Sequence, residues 1–260
     1  MVPEYTEVRA MPFDATVAPT APHVFNCAAC PAGAACLVRG ASASELAAWT
    51  CAVDSQFSLA QPGKALIEAG SRSEAIYSVR AGCLKSYTVD EDGNERVRAF
   101  YLPGDLIGLD ALGSQAHPAH VVAVVPSQVC RIPRARAMEL MAGAPGLIQR
   151  LIERTSRDLS QALALAGDYT ADQRVAAFLM AMRERLGSPQ AVRLPMTRRD
   201  IANYLRLATE TVCRVLTRFE RRQWLVSQDK TVRLLQPDAL AAVAAVVGLA
   251  AAPTLPARAA

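Results

Sequence analysis

Residues 196–226 read MTRRDIANYLRLATETVCRVLTRFERRQWLV. Thr197 with Asp200 three residues later is the pattern of a reciprocal N-terminal cap. Ile201, Ala202 and Leu205 then give one apolar face of a short helix. A turn of three or four residues near 205–208 leads into a second helix, with Thr209 expected as its cap. In that helix Val212, Val215, Leu216 and Phe219 form an apolar stripe, and Glu210, Thr211, Cys213, Arg214, Thr217 and Arg218 share the opposite face. A helical run over 172–186 precedes this pair, and two β-like pieces follow, at Trp224-Leu225-Val226 and at 231–235. Three helices and then a small hairpin is the order of a winged helix-turn-helix, expected over residues 171–242.

The chemistry of the second helix suits nucleic acid. A guanidinium and a carboxylate one turn apart can read base edges, Arg214 donating to guanine O6/N7 and Glu210 accepting from cytosine N4. Arg198, Arg199, Arg206, Arg218, Arg221 and Arg222 flank the pair, and with Thr197 and Thr209 they are expected to set the unit on phosphates. Charge distribution agrees. Residues 1–170 hold 14 Lys+Arg against 17 Asp+Glu, whereas residues 171–236 hold 13 against 6. A net +7 confined to one stretch of a chain that is +4 overall suggests a polyanion-binding domain. An ordinary helical hairpin with a solvated basic face would explain the charge, but not the capped pair with its hairpin.

Working towards the N-terminus, residues 145–170 change to a helical period. Ile148, Ile152, Thr155, Leu159, Ala162 and Ala166 recur at alternating spacings of four and three, an a/d seam that predicts a homodimer. Leu147, Leu151 and Leu163 supply a second apolar face for packing on the chain's own core. Before it, residues 57–132 show short β-like runs such as AIYSVRAG, CLKSYTVDEDG and RVRAFYLPG at turn-separated intervals. Asp92-Gly93-Asn94 reads as a hairpin turn between 87–89 and 97–100. The expected class is α+β: an N-terminal jelly-roll β barrel within residues 26–144, a long dimerisation helix over 145–170, and the C-terminal winged helix-turn-helix. Residues 1–25 read as a flexible extension and 243–260 as an Ala/Pro-rich tail. The 260 residues contain no convincing transmembrane stretch and no secretory h-region, so a cytoplasmic protein without membrane contact is expected.

Seven cysteines remain, an odd number that argues against a secreted disulfide framework. Cys27-x2-Cys30-x5-Cys36 places three thiols within ten residues of a Gly- and Pro-containing loop. Such a loop can wrap a metal. Spacing alone leaves an iron–sulfur cluster, zinc, and free or redox-active thiols open, and any four-thiolate site needs a further, distant cysteine. There is no Gly-rich nucleotide loop and no clustered His/Asp/Glu set, so no enzymatic activity is expected. Cys51 and Cys83 read as thiols without a role. Cys213 could be oxidised on the recognition helix. His23, His117 and His120 lie near no obvious partner.

The trio Cys27, Cys30, Cys36, the stretch GCLKSYTVDEDGNERVRAFYLPGDLIGLDALG, the VCRIP segment at 129–133 and MTRRDIANYLRLATETVCRVLTRF together resemble the cyclic-AMP receptor protein/FNR superfamily of bacterial transcription regulators, specifically its oxygen-sensing FNR branch. The resemblance covers about residues 20–242. It implies a 4Fe–4S cluster, one per chain, held by Cys27, Cys30, Cys36 and Cys130. It also implies a homodimer that binds a palindromic TTGAT-like site on double-stranded DNA while the cluster is intact, contacts RNA polymerase, and controls genes of anaerobic or microaerobic metabolism. By the same resemblance Glu210, Cys213 and Arg214 are the base-contacting residues. Three departures stand out. Cys213 replaces the family's serine, a weaker donor of similar volume. Arg206 stands where the turn often has glycine. Ala162 stands where the family's prototype carries a carboxylate on the seam, which should strengthen the dimer. The sister branch holds cyclic AMP with a Gly-Glu-Leu segment and a following Arg. Here Gly104-Asp105-Leu106 has no arginine between 99 and 130, so cyclic AMP binding is not expected.

Overall fold

The computed structural model describes residues 25–188, 190–245 and 247. The expectations for the extension before Phe25 and for most of the tail after 243 therefore lie outside the described residues. A short helix α1 (Ala43–Ala52) leads into six strands: β1 (Ser55–Leu59), β2 (Ala65–Ile67), β3 (Ala75–Val89), β4 (Glu95–Tyr101), β5 (Leu106–Ile107) and β6 (His120–Pro133). Helices α2 (Arg134–Gly143), α3 (Pro145–Ala166) and α4 (Ala171–Arg185) follow. The C-terminal unit comprises β7 (Ala191–Arg193), α5 (Arg198–Leu205), α6 (Thr209–Arg221), β8 (Leu225–Gln228), β9 (Thr231–Leu234) and α7 (Pro237–Ala245).

The six strands form one antiparallel sheet in the order β1-β6-β3-β4, with β2 also paired to β6 and β5 to β3. The expected fold class holds, with one difference: the strand pairing does not close into a full barrel. Core formation replaces closure. Leu59, Ile67, Val79, Leu84, Ile107, Val121 and Val129, drawn from β1, β2, β3, β5 and β6, share one buried cluster. The long strands accommodate this through register shifts near residues 79–84, since a bulge bends a strand and increases its twist. Gly82 is the pivot. The two runs on either side of it in the sequence, AIYSVRAG and CLKSYTV, are a single strand, β3, with Gly82 inside it at φ +90°. A Cβ there would meet Ser127 Oγ at 2.2 Å and the Pro126 carbonyl at 2.5 Å, so only glycine fits. The hairpin between β3 and β4 is where the sequence places it, with Gly93 at φ +78°.

The C-terminal unit is not separate from this sheet. Val97, Phe100 and Leu102 of the β4 region join Phe178, Leu179 and Met182 of α4 and Ile201 and Leu205 of α5 in one buried cluster. Phe100 packs against both Phe178 and Tyr204, with ring centroids 6.4 and 5.2 Å away. The β4 edge is occupied as well: Val97 N–H donates to Asn203 Oδ1 at 2.7 Å, and Asn203 Nδ2 donates to the Glu95 carbonyl at 2.5 Å. One side chain thereby satisfies an edge strand that would otherwise present unpaired backbone groups.

Candidate nucleic-acid interface and cysteine site

Helix α5 begins as the sequence indicates. Thr197 Oγ1 accepts from the Asp200 N–H at 3.1 Å and Asp200 returns a bond to the Thr197 N–H, a complete capping box. The helix stops at Arg206, which adopts φ 56°, ψ 45°, the left-handed conformation that favours glycine. A residue with a Cβ there costs about 1 kcal/mol relative to glycine. The start of α6 differs from expectation. Its N-cap is Ala208, whose extended backbone begins the helix without any side-chain acceptor, and Thr209 is already the first helical residue.

Helix α6 presents the expected faces. Val212, Val215, Leu216 and Phe219 are buried, and Glu210, Cys213, Arg214, Thr217 and Arg218 are exposed. Arg214 Nη2 donates to Thr211 Oγ1 at 3.2 Å, which leaves the rest of its fork facing outward. Trp224 anchors the β8–β9 hairpin on α6 through Phe219, ring centroids 5.4 Å apart, with the Arg222 guanidinium over its ring. Two more of the arginines assigned to phosphates already have partners. Arg198 donates to Ser227 Oγ at 2.6 Å, tying α5 to β8, and Arg218 forms a two-point ion pair with Asp172 of α4.

On α3, Ile152 and Leu159 are exposed, at 58% and 61%, and so are Thr155 and Ala162, whereas Ile148 is half-buried. The side chain of Ala166 lies outside the described ones. Leu147 packs inward at 3% exposure and Leu151 joins the same cluster, but Leu163 is 64% exposed. The inner face therefore ends earlier than the sequence suggested, and Leu163 belongs with the outward apolar residues.

Three of the four cysteines of interest, Cys27, Cys36 and Cys130, lie around one buried cluster near the start of α3, and Cys30 is an electrostatic neighbour of Cys27 and Cys130. Cys130 sits towards the end of β6, between Gln56 of β1 and Ser78 of β3. Gln56 Nε2 donates to its sulfur at 3.6 Å, and Cys36 Sγ lies 3.7 Å from Ser78 Oγ. Cys27, Cys36 and Cys130 border the buried cluster that holds Leu37, Val38, Trp49 and Leu147. Burial pushes the Cys27 thiol up against the opposing effect of a Thr50 hydrogen bond, and Cys36 and Cys30 nearby push it further. Burial, with Cys27 and Cys30 as neighbours, pushes Cys130 up to about 11. The donors thus sense one another, and all four are free thiols. Among the described residues, however, no three Cys, His, Asp or Glu side chains are gathered closely enough to hold a metal ion. As a donor set they fit a thiolate-bound group in kind and in neighbourhood, not as a closed ligand shell. Cys83 is buried at a β3 bulge, and Cys51 and Cys213 are exposed.

Sequence reasoning missed the residues that hold this region together. Asp105, in the Gly104-Asp105-Leu106 turn, accepts the Leu102 N–H at 2.7 Å and ion-pairs with both Arg154 of α3 and Arg185 of α4. Its carboxylate is therefore committed within the protein. Arg150 and Arg154, one turn apart on the inner face of α3, were a readable signal: cations on a face that otherwise packs Leu147 and Leu151 need buried acceptors.

Residues 173–243 match the Crp-like helix-turn-helix domain and residues 59–143 the cyclic nucleotide-binding domain. That pairing defines a class of DNA-binding transcription regulators. The chain is 38% identical over 191 residues to the fumarate and nitrate reduction regulatory protein of Salmonella typhi, covering 71% of this chain and 76% of that one. It is 37% identical over 189 residues to the transcriptional activator protein Anr of Pseudomonas protegens, covering 70% and 78%. Among solved structures it resembles FixK2 of Bradyrhizobium japonicum, with a TM-score of 0.65, 29% identity, and coverage of 77% of this chain and 98% of that one. The chain belongs to the Crp/FNR family, on its FNR branch. It is a transcription regulator with a DNA-binding helix-turn-helix, and not an enzyme. No helix among the described residues is long and apolar enough to cross a membrane.

Proposed function

We propose that the protein is a cytoplasmic, oxygen-responsive regulator that binds a palindromic TTGAT-like site as a homodimer and contacts RNA polymerase when a 4Fe–4S cluster is held by Cys27, Cys30, Cys36 and Cys130. The observation that supports this reading is that Cys27, Cys36 and Cys130 border the same buried cluster as Leu147 at the foot of α3, with Cys30 near enough to act on Cys27 and Cys130, while the opposite face of that helix exposes Ile152, Leu159 and Leu163. When bound, the cluster supplies a site that oxygen attacks. The chain's own residues do the rest. The loop holding Cys27, Cys30 and Cys36 packs on the first turns of α3, so its order bears on how the seam residues Ile148, Ile152, Thr155, Leu159, Ala162 and Ala166 meet a second copy. Pairing of two copies brings two α6 helices to successive major grooves. Glu210, Cys213 and Arg214 then read bases, while Thr197, Arg198, Arg206, Thr209 and Arg218 hold phosphates. For Arg218 this requires sharing or releasing Asp172.

The deciding experiment is iron and acid-labile sulfide per chain in anaerobically purified protein, before and after air. About four of each, falling on exposure, supports the cluster. Neither element under careful anaerobic handling would overturn the cluster reading and leave a DNA-binding regulator whose thiols or another metal do the sensing.

A further inference from the structure

Two arginines of α3 hold the backbone on either side of Cys36. Arg150 Nε donates to the Leu37 carbonyl at 2.9 Å and its Nη2 to Glu45 Oε2 at 3.1 Å. Arg154 Nη1 donates to the Ala35 carbonyl at 3.2 Å and to the Gly104 carbonyl at 3.1 Å, while its Nη2 pairs with Asp105. The linkage continues past Asp105, because the same carboxylate pairs with Arg185 at the end of α4. Arg185 also donates to the Phe100 carbonyl at 3.0 Å. An unbroken series of charge-assisted bonds therefore runs from the residues flanking Cys36, through α3, to α4 and the core shared with α5.

We propose that Arg150 and Arg154 act as a two-pronged clamp, so that the position of the Cys36 backbone sets the placement of α3 and its seam, and that Asp105 and Arg185 carry the same linkage to the DNA-binding helices. The inference rests on reading the cysteine loop as the sensor. The geometry makes the clamp selective. The carbonyls of Ala35 and Leu37 belong to the residues adjoining Cys36, so any displacement of that cysteine moves both acceptors together. Hydrogen bonds weaken steeply with distance and angle, and a desolvated guanidinium deprived of its acceptor is strongly disfavoured. Burial acts against the charged forms of Arg154 and Arg185, and their carbonyl and carboxylate partners offset it. Arg154 belongs to the same turn of α3 as Ile152 and Thr155, so displacing it displaces the helix segment that carries them. Arg150 and Arg154 are positioning residues. Neither is a thiol ligand nor on the DNA face.

The test compares the full-length wild type with Arg150→Gln/Arg154→Gln and with Arg154→Lys, each purified anaerobically and then exposed to air. The readouts are iron and sulfide content, the dimer dissociation constant by sedimentation, and hydrogen exchange over residues 34–38 and 150–156. In the wild type, loss of the cluster should weaken the dimer on the order of tenfold, within the usual range of allosteric coupling. In the double variant, iron should load as before, residues 34–38 should exchange faster even with iron bound, and the dimer constants in the two states should agree within about twofold. Arg154→Lys keeps the charge balance at Asp105 but not the fork that spans carbonyl and carboxylate. It should show the same loss in part, which separates uncoupling from misfolding if the double variant melts early. Iron in the variants together with the full wild-type response would overturn the clamp and leave the cluster sensor standing. Absence of iron from the wild type would overturn the sensor reading and the clamp with it.

Discussion

Lys85 Nζ of β3 lies 2.8 Å from Asp200 Oδ1 of α5, an ion pair that ties the N-terminal sheet to the first helix of the DNA-binding unit. Lys85 also reaches Glu95 Oε2 at 2.8 Å, and the Lys85 and Asp200 side chains are only 13% and 15% exposed. Burial acts to raise the Asp200 carboxyl, but the Lys85 and Thr197 hydrogen bonds outweigh it and hold the carboxyl below its ordinary 3.8. A depressed carboxyl contributes stability that is complete above its ordinary value and is lost as pH falls through its folded value. Lys85→Met should therefore cost about 2 kcal/mol near neutrality. The gap between variant and wild-type melting temperatures should narrow as pH drops below 3.8. A gap that stays constant from pH 6 to pH 3 would show that the pair does not stabilise the docked arrangement.

Glu210 and Arg214 are exposed on α6, one turn apart, with no ion pair between them that would consume either. Each is available to a base edge, and a good bidentate contact is worth about 1–3 kcal/mol of discrimination. Arg214→Ala and Glu210→Ala should each lower affinity for a TTGAT-like palindrome by about ten- to a hundredfold while leaving binding to unrelated duplex little changed. Cys213→Ser restores the stronger hydroxyl donor and should sharpen the preference at one base position. Competition titrations at fixed salt read all three. Equal losses on specific and unrelated DNA would reassign these residues to the phosphate backbone.

How far the sequence reveals this molecule depends on the range of the interactions involved. The α5–α6 pair is legible because its determinants are local: the Thr197–Asp200 box, the apolar stripe and the hairpin after Trp224 all act within a few residues. Thr209 misled because a helix starts where the backbone turns extended, and that residue is Ala208, which has no oxygen to advertise the cap. Gly82 misled for the opposite reason: a glycine that suggests a strand break is needed inside the strand, where Ser127 and Pro126 press against it. The partnership of Arg154 with Asp105 and Ala35 could not be read, since it joins three segments far apart in sequence. Only the placement of two arginines on an apolar helix face hinted that buried acceptors await them.

Ala162 is exposed on the same helix as Ile152 and Leu159. On a two-fold seam, a residue near the axis meets its own copy, so one substitution introduces two like charges. Ala162→Asp should raise the dimer dissociation constant about tenfold or more, most clearly at low salt where screening is weakest. Sedimentation at two ionic strengths measures this. An unchanged constant at both would place Ala162 off the seam and shift the contact towards Leu163.

Gly104 has φ +91°, and a Cβ there would come within 2.4 Å of the Ala35 backbone. Gly104→Ala therefore combines a strained conformation with a direct push on the cysteine loop, and should destabilise the protein by about 2–4 kcal/mol. Gly82→Ala is the natural comparison, because it is equally strained but presses on Ser127 and Pro126 instead. The two should differ in where protection is lost. Gly104→Ala should raise hydrogen exchange first across residues 26–41 and speed the loss of iron in air, whereas Gly82→Ala should loosen β3 and β6 first. Matching exchange patterns in the two variants would show that contact with Gly104 does not seat the loop.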